Sequence, residues 1–403
     1  MNETDFFAQL GDTFGDAARL PAHMYVHVPF CASKCSYCDF ASEACNDPDR
    51  VRAVFTGIRA QLRQWSNSGL EGVLETIYYG GGTPSLHPDW VADTLGYIRE
   101  QFTVHPSAEI TVEANPDSLS RETLALLMEQ GVTRISVGVQ SFDARVLGML
   151  GRRHDAIAAW RACETVIDAG LALSVDLICG VPGQSEASWA ETLRRAVDTE
   201  ARHISVYPLS VEEGTALATA IDSGLVAEPD PDTAADMMVM ARDALALSGF
   251  ERYEVANYAK SPADQSRHNN AYWTGRSYIG IGPGAHGMLD APTAMAAGMA
   301  EGLDPAARLR YANSGEIDEW MVGVGDSHEV LTPEEVARED IMLGLRLAEG
   351  VAEDDVEAAG LTEDLEKLAE LGLVERVDAR WHTTTRGWLL GNEVFSRIWL
   401  GDR

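Results

Sequence analysis

Cys31-Ala-Ser-Lys-Cys35-Ser-Tyr-Cys38 places three thiols at offsets of four and three, directly after a short apolar run, Met24–Pro29. Three thiolates on one loop can hold three irons of a four-iron cluster and leave the fourth iron without a protein ligand. An open iron is a site for chemistry rather than a store of electrons. Burial alone has no reason to choose this spacing in a chain with only six cysteines. A second stretch, Tyr78-Tyr-Gly-Gly-Gly-Thr-Pro-Ser85, sets three glycines in a row at the end of another β-rich run. Glycines there bare the backbone amides and carbonyls and let a ligand lie against the main chain.

The elements that must position these residues repeat. The β-rich runs Met24–Pro29, Thr76–Gly80, Glu109–Ala114, Arg134–Val139, Ala172–Cys179 and His203–Leu209 alternate with amphipathic stretches at Pro48–Ser66, Pro88–Gln101, Arg121–Glu129, Ala156–Ala169 and Ser188–Thr199. Such alternation predicts right-handed βαβ units and a parallel sheet. Distinctive polar residues gather toward the C-terminal end of every run: the cysteine loop, Gly80–Ser85, Glu113, Gln140, Asp176 and Tyr207. A barrel builds its site on that rim, whereas a doubly wound sheet uses one switch point. The fold class expected is α/β, a partial (β/α)6 barrel over residues 24–287, with a lead-in at 1–23 and a connection at 288–330. A helical, winged-helix-like domain is expected at 331–403, opened by Thr332-Pro-Glu-Glu335, which has the composition of a capping box.

Composition narrows the partners. Net charge is −32, from 63 acids against 31 bases, a balance that repels phosphate backbones and anionic lipid. Winged helices often bind DNA, but Leu331–Leu373 carries thirteen acids and three bases, so a cover or docking role is expected there instead. No apolar run is long enough to span a bilayer. The acidic start Met1-Asn-Glu-Thr-Asp has no export signal, so a reducing cytoplasm is expected, where clustered cysteines bind metal.

Several ordered motifs carry a family resemblance. Tyr25-Val-His-Val-Pro-Phe-Cys31, the cysteine triplet, Gly80-Gly-Gly-Thr-Pro-Ser85, Glu113-Ala-Asn-Pro116, Gly138-Val-Gln-Ser-Phe142, Gly151-Arg-Arg-His154 and Asp176-Leu-Ile-Cys-Gly-Val-Pro-Gly183 resemble the radical S-adenosylmethionine (SAM) enzymes of the oxygen-independent coproporphyrinogen III oxidase type. The resemblance implies a radical-SAM barrel with a [4Fe-4S] cluster on Cys31, Cys35 and Cys38, supplied with electrons by a donor. It implies that the open iron binds the amino and carboxylate groups of SAM, while Gly81, Gly82 and Thr83 cradle its methionyl part. Glu113 would face the cation and Arg152 a carboxylate. Gln140 and Asp176 would meet ribose hydroxyls, and Tyr25 and Tyr37 would pack beside the cofactor.

One departure selects a branch. Porphyrin-oxidizing members carry a fourth cysteine two residues past the third; here that position is Phe40, and Cys45 comes five residues too late. Cys38-Asp-Phe40 instead resembles the HemW-type haem chaperones. His268-Asn-Asn-Ala-Tyr-Trp273 is similar to that group's haem-binding motif, His268 being an expected iron ligand and Tyr272 and Trp273 offering flat faces to a porphyrin. The expected function is haem binding and transfer to acceptor proteins. The alternative is radical oxidation of a tetrapyrrole propionate.

Overall fold

The computed structural model describes residues 18–400; residues 1–17 of the expected lead-in lie outside them. Six parallel strands form the centre: β1 (His23–Val28), β2 (Val73–Gly81), β3 (Thr103–Ala114), β4 (Arg134–Gln140), β5 (Ala172–Cys179) and β6 (His203–Pro208). They are hydrogen-bonded in sequence order, with helices Pro48–Ser66, Pro88–Gln101, Arg121–Glu129, Ala156–Asp168 and Glu186–Asp198 among the connections. This is the partial barrel, an open sheet of parallel βαβ units.

Strand sequence explains the layering. Side chains alternate between faces with a period of two, and the chain alternates accordingly. Met24, Val26, Val28, Ile77, Tyr79, Ile110, Val112, Ile135, Val137, Val175, Leu177, Ile204 and Val206 point outward against the helices and are fully buried. Removing each from water stabilises the fold by about 1.5–3 kcal/mol, so the main core lies between sheet and helices. The intervening residues face inward and are mostly polar: Thr111, Arg134, Ser136, Ser174, Asp176, His203 and Ser205 line a central cavity. An ordinary barrel packs its interior with branched aliphatics; this one holds a polar pit.

The sheet continues beyond the parallel part. β7 (Glu251–Arg252) pairs antiparallel with β8 (Asn257–Ala259), which pairs antiparallel with β6. At the other edge β9 (Tyr278–Ile281) pairs parallel with β1. It is followed by antiparallel β10 (His286–Asp290), β11 (Arg308–Ala312) and β12 (Ser327–Leu331). Residues 288–330, expected as a loose connection, are thus largely sheet, with short helices Ala291–Ala296 and Ile317–Met321 between strands. Toward this edge the strands turn polar: Ser327-His-Glu-Val-Leu331 is the edge itself and Arg308-Leu-Arg-Tyr-Ala312 lies next to it, so they lack the apolar run that marks a central strand.

The C-terminal unit contains helices Pro333–Gly344, Glu353–Ala358 and Thr362–Glu370, then β13 (Val374–Val377) and β14 (Arg380–Thr383) as a hairpin joined by Val351–Ala352. Thr332 and Glu335 form the capping box. Two helices close the unit, Thr385–Leu389 and Gly391–Leu400, where the sequence pattern alone reads as one. The unit has its own core around Val356, Leu361, Leu365 and Ile398. It docks on the barrel through Glu339, which is 4 % exposed and ion-paired to Arg308 and Arg310 of β11. Trp388 Nε1 adds a bond to the Val255 carbonyl at 2.8 Å. Among the described residues no helix is long and apolar enough to cross a membrane.

Glu339→Ala removes charge-assisted bonds across this seam while Arg308 keeps Asp340 and Arg310 keeps Glu329, so it should destabilise the protein by about 2 kcal/mol. Urea unfolding checks this; an unchanged midpoint would show that these pairs do not hold the two units together.

Candidate metal and cofactor site

The cysteine loop leaves β1 through Pro29 and the short strand Phe30–Cys31, which pairs with Glu43–Ala44. It is tied down from several sides. Ser36 donates its amide to Leu150 O (3.2 Å) and its hydroxyl to Met149 O (2.8 Å), and it accepts from Leu217 N at 2.7 Å. His27 Nε2 bonds the Ala41 carbonyl at 2.9 Å. So held, Cys31, Cys35 and Cys38 are half-buried free thiols lining one cavity of about 380 Å³. Among the described residues no three His, Cys, Asp or Glu side chains are placed to hold a single metal ion. Three cysteines on one cavity are the donor set that a [4Fe-4S] cluster with one open iron takes.

The thiol surroundings fit anionic sulfur. Burial pushes Cys31 and Cys38 above the ordinary thiol range, so ligation has to displace protons. Thr83 Oγ1 donates to Cys31 Sγ at 3.6 Å and Arg152 Nη1 to Cys35 Sγ at 3.3 Å. Cys45 Sγ instead accepts from Asp47 N (3.4 Å), and Cys163 and Cys179 are buried in the core. Phe40 lines the cavity with its ring 57 % exposed.

The glycine run works differently from the sequence expectation. Gly81 N donates to Glu113 Oε2 (3.2 Å), Gly82 N to Val28 O (2.8 Å) and Thr83 N to Phe30 O (2.7 Å). All three amides are therefore engaged within the protein, and the carbonyls and the Thr83 hydroxyl are what this turn can offer a ligand. The glycines are needed for close packing. A Cβ on Gly82 would lie 2.5 Å from the Phe30 carbonyl oxygen, and one on Gly81 (φ +102°) 2.5 Å from the His27 ring.

Glu113 sits opposite the cysteines, with Tyr78 OH donating to Oε1 at 2.8 Å. Burial, with Asp176 nearby, pushes its carboxyl up to about 7 against the pull of the Tyr78 and Gly81 bonds. Asp176 accepts from Ser136 (2.8 Å), Ser205 (2.8 Å) and Ser174 (3.4 Å). Gln140 takes φ +63° at the end of β4, where the register with β5 shifts, and it lines the cavity. Tyr37 lines it too and packs beside Val146, Leu150, Ile178 and Val181. Two expected roles change. The second guanidinium nitrogen of Arg152, Nη2, bonds Asn115 Oδ1 (2.6 Å) and Gly138 O (2.7 Å), so with Nη1 on Cys35 the fork braces the cysteine wall rather than waiting for a carboxylate. Tyr25 lies behind the lining, stacked on Tyr78 with its hydroxyl on His27 Nδ1 (3.1 Å).

His268 is not displayed to a porphyrin, and Tyr272 and Trp273 are only partly exposed. They lie on helix Arg267–Trp273. His268 is 1 % exposed. Its Nδ1 shares a bond with Thr76 Oγ1 (2.7 Å) and its Nε2 one with the Tyr272 hydroxyl (2.8 Å). The ring also stacks on Tyr78, and burial keeps it neutral. Trp273 is covered by Arg346 of the C-terminal unit, 5.1 Å from its ring centre and itself 4.1 Å over Phe395. A bare motif leaves such distant partners invisible. Sequence reading also missed Asn115, Ser136, Ser174 and Ser205. The signal was there: Arg134-Ile-Ser-Val, Leu173-Ser-Val-Asp and His203-Ile-Ser-Val each alternate apolar and polar as a strand with a wet face.

Comparison with known proteins agrees with this geometry. Residues 25–196 match the Radical SAM superfamily and residues 331–390 the HemN C-terminal domain. The heme chaperone HemW of Mycobacterium tuberculosis is 34% identical over 382 residues, covering 93% of this chain and 94% of the relative. That of Lactococcus lactis is 32% identical over 401 residues, 95% and 98% of the two chains. In mouse, the mitochondrial radical S-adenosyl methionine domain-containing protein 1 is 36% identical over 83% of this chain and 75% of its own. The solved coproporphyrinogen III oxidase (HemN) of Escherichia coli superposes with a TM-score of 0.76 over 99% of this chain and 93% of that one; at 20% identity it shows the fold. With the three-cysteine wall, the polar barrel and similarity along nearly its whole length, the chain belongs to the HemW family of radical SAM proteins.

Proposed function

We propose that this protein is a haem chaperone: it carries a [4Fe-4S] cluster on Cys31, Cys35 and Cys38, binds SAM in the barrel, and passes haem to acceptor proteins in the cytoplasm. The observation that carries the reading is the one cavity that three half-buried thiols share with two half-buried carboxyls, Glu113 and Asp176, with Phe40 where porphyrin-oxidizing relatives hold a further cysteine. When bound, the cluster supplies an iron free to take the amino and carboxylate groups of SAM. The chain's own residues do the rest. Arg152 and Thr83 donate to ligand sulfurs and favour their thiolate form. Glu113, in its charged state, faces the sulfonium; Asp176, oriented by three serines, and Gln140 suit ribose hydroxyls. Gly81, Gly82 and Thr83 offer carbonyl and hydroxyl oxygens along the methionyl part, and Tyr37 closes the side. An electron donor would serve the cluster. The −32 charge disfavours nucleic acid.

Haem is the cargo in this reading. For His268 to ligate its iron, the bonds to Thr76 and Tyr272 must open, and Arg346, in the turn after helix Pro333–Gly344, must leave Trp273 for the aromatic faces to be used. Both changes are local openings at the seam between barrel and C-terminal unit.

Anaerobic reconstitution should load about four irons per chain, lost in a Cys31→Ala/Cys35→Ala/Cys38→Ala variant and retained in Cys45→Ala. Equal iron in wild type and triple variant would refute the cluster assignment. The same preparation should form no vinyl product from coproporphyrinogen III; its appearance would return the protein to the oxidase branch.

The Glu113 carboxyl, raised to about 7, ionises as pH rises, and a cation binds the ionised form. SAM affinity measured by calorimetry should therefore increase about tenfold from pH 6 to pH 8 and level off above. In Glu113→Gln the profile should be weak and flat; an unchanged profile there would remove Glu113 from the site.

Haem titration followed at the Soret band should show a changed spectrum and weaker binding in His268→Ala. Identical spectra would exclude His268 as an axial ligand.

A further inference from the structure

Arg134 is a buried cation in no direct ion pair: Asp264 and Asp176 lie near enough to feel its charge, but neither carboxylate bonds it. Arg134 enters at the start of β4, is 5 % exposed, and donates from Nη1 to a neutral acceptor, the Asp264 carbonyl, at 3.0 Å. Its Nη2 is buried with no hydrogen-bond partner. Among the described residues no carboxylate pairs with it; Asp264 directs its own carboxylate to Arg202. Beside it, on β3, Thr111 is 1 % exposed and its hydroxyl likewise lacks a partner. The two are neighbours in strand register, Thr111 opposite Arg134, and both line the central cavity. Desolvating a guanidinium is costly unless something compensates it. A hydroxyl left bare next to it points to the same missing acceptor.

The position separates this pair from the SAM residues. Glu113 and Ser136 form the next register pair above, two residues or about 6.6 Å nearer the cysteine rim. Asp176, whose carboxylate feels the Arg134 charge without bonding it, is occupied by Ser136, Ser174 and Ser205. Asn269 and Ser266, at the start of the helix that carries His268, also line the cavity.

We propose that the floor of the barrel cavity is a carboxylate subsite, in which Arg134 and Thr111 each donate to one oxygen of a ligand that enters past the cysteine loop. The carboxylate belongs either to the propionate arm of a tetrapyrrole or to a small free acid. The inference does not depend on the haem reading.

The test uses reconstituted, SAM-loaded protein. Propionate should raise the thermal unfolding midpoint saturably, whereas propionamide should not. Arg134→Gln should abolish the propionate effect and leave SAM affinity within about twofold. Thr111→Val, which keeps the charge, should weaken propionate several-fold and covers the case in which Arg134→Gln does not fold. Comparison of haem with haem dimethyl ester identifies the source: preference for free haem that disappears without Arg134 assigns the propionate arm, and equal binding of the two assigns the small acid. The proposal is overturned if propionamide acts like propionate, if the propionate effect is absent or survives both substitutions, or if Arg134→Gln weakens SAM as much as propionate.

Discussion

The cavity depends on one close approach between main chains. The turn after β2 lies so tightly against the start of the cysteine loop that a side chain on Gly82 would collide with the Phe30 backbone. Two backbone bonds lock the contact, Gly82 N to Val28 O and Thr83 N to Phe30 O. Thr83 then reaches Cys31, and the Gly81 amide reaches Glu113. The thiol wall and the acidic wall are thereby set in a common frame by backbone geometry, which is stiffer than any pair of side chains. A loop of three cysteines without this anchor would pay a large ordering entropy before holding a cluster.

The second constraint is that a polar barrel interior must be satisfied group by group. Asp176 is held by serines, and His203 sits between Ser174 and the Tyr253 hydroxyl. His23 and His268 share the Thr76 hydroxyl. Such networks specify one arrangement because each lost bond in low dielectric is expensive. Arg134 Nη2 and the Thr111 hydroxyl, neighbours on the cavity wall, are buried groups that find no partner among the described residues. The network also connects the ends of the barrel: Glu113 bonds Tyr78, Tyr78 stacks on His268, His268 bonds Tyr272, and Trp273 beyond it meets the C-terminal unit through Arg346. The cofactor wall and the seam between the two units are thus in physical contact.

Much of this was legible in one dimension. The six parallel strands announced themselves because a strand buried on its helix-facing side needs an unbroken outward stripe of Val, Ile and Leu. The Thr332 capping box was readable because all its partners lie within four residues. Residues 288–330 were not, since β10 to β12 draw their stability from neighbours across an antiparallel edge and carry weaker apolar patterning. The break at Leu390 was equally hidden within a continuous helical pattern.

The division follows the range of the interactions. The sequence by itself determined the cluster loop, the parallel barrel and the family branch marked by Phe40, because spacing along a loop and alternation along a strand are local properties. Only the tertiary structure decided that the glycine amides are already engaged, that Arg152 braces Cys35, that His268 is locked between Thr76 and Tyr272, and that one guanidinium nitrogen of Arg134 is left without a partner. A side chain's role depends on which distant groups satisfy it, and those groups, here up to 192 residues apart, meet only when the chain has folded.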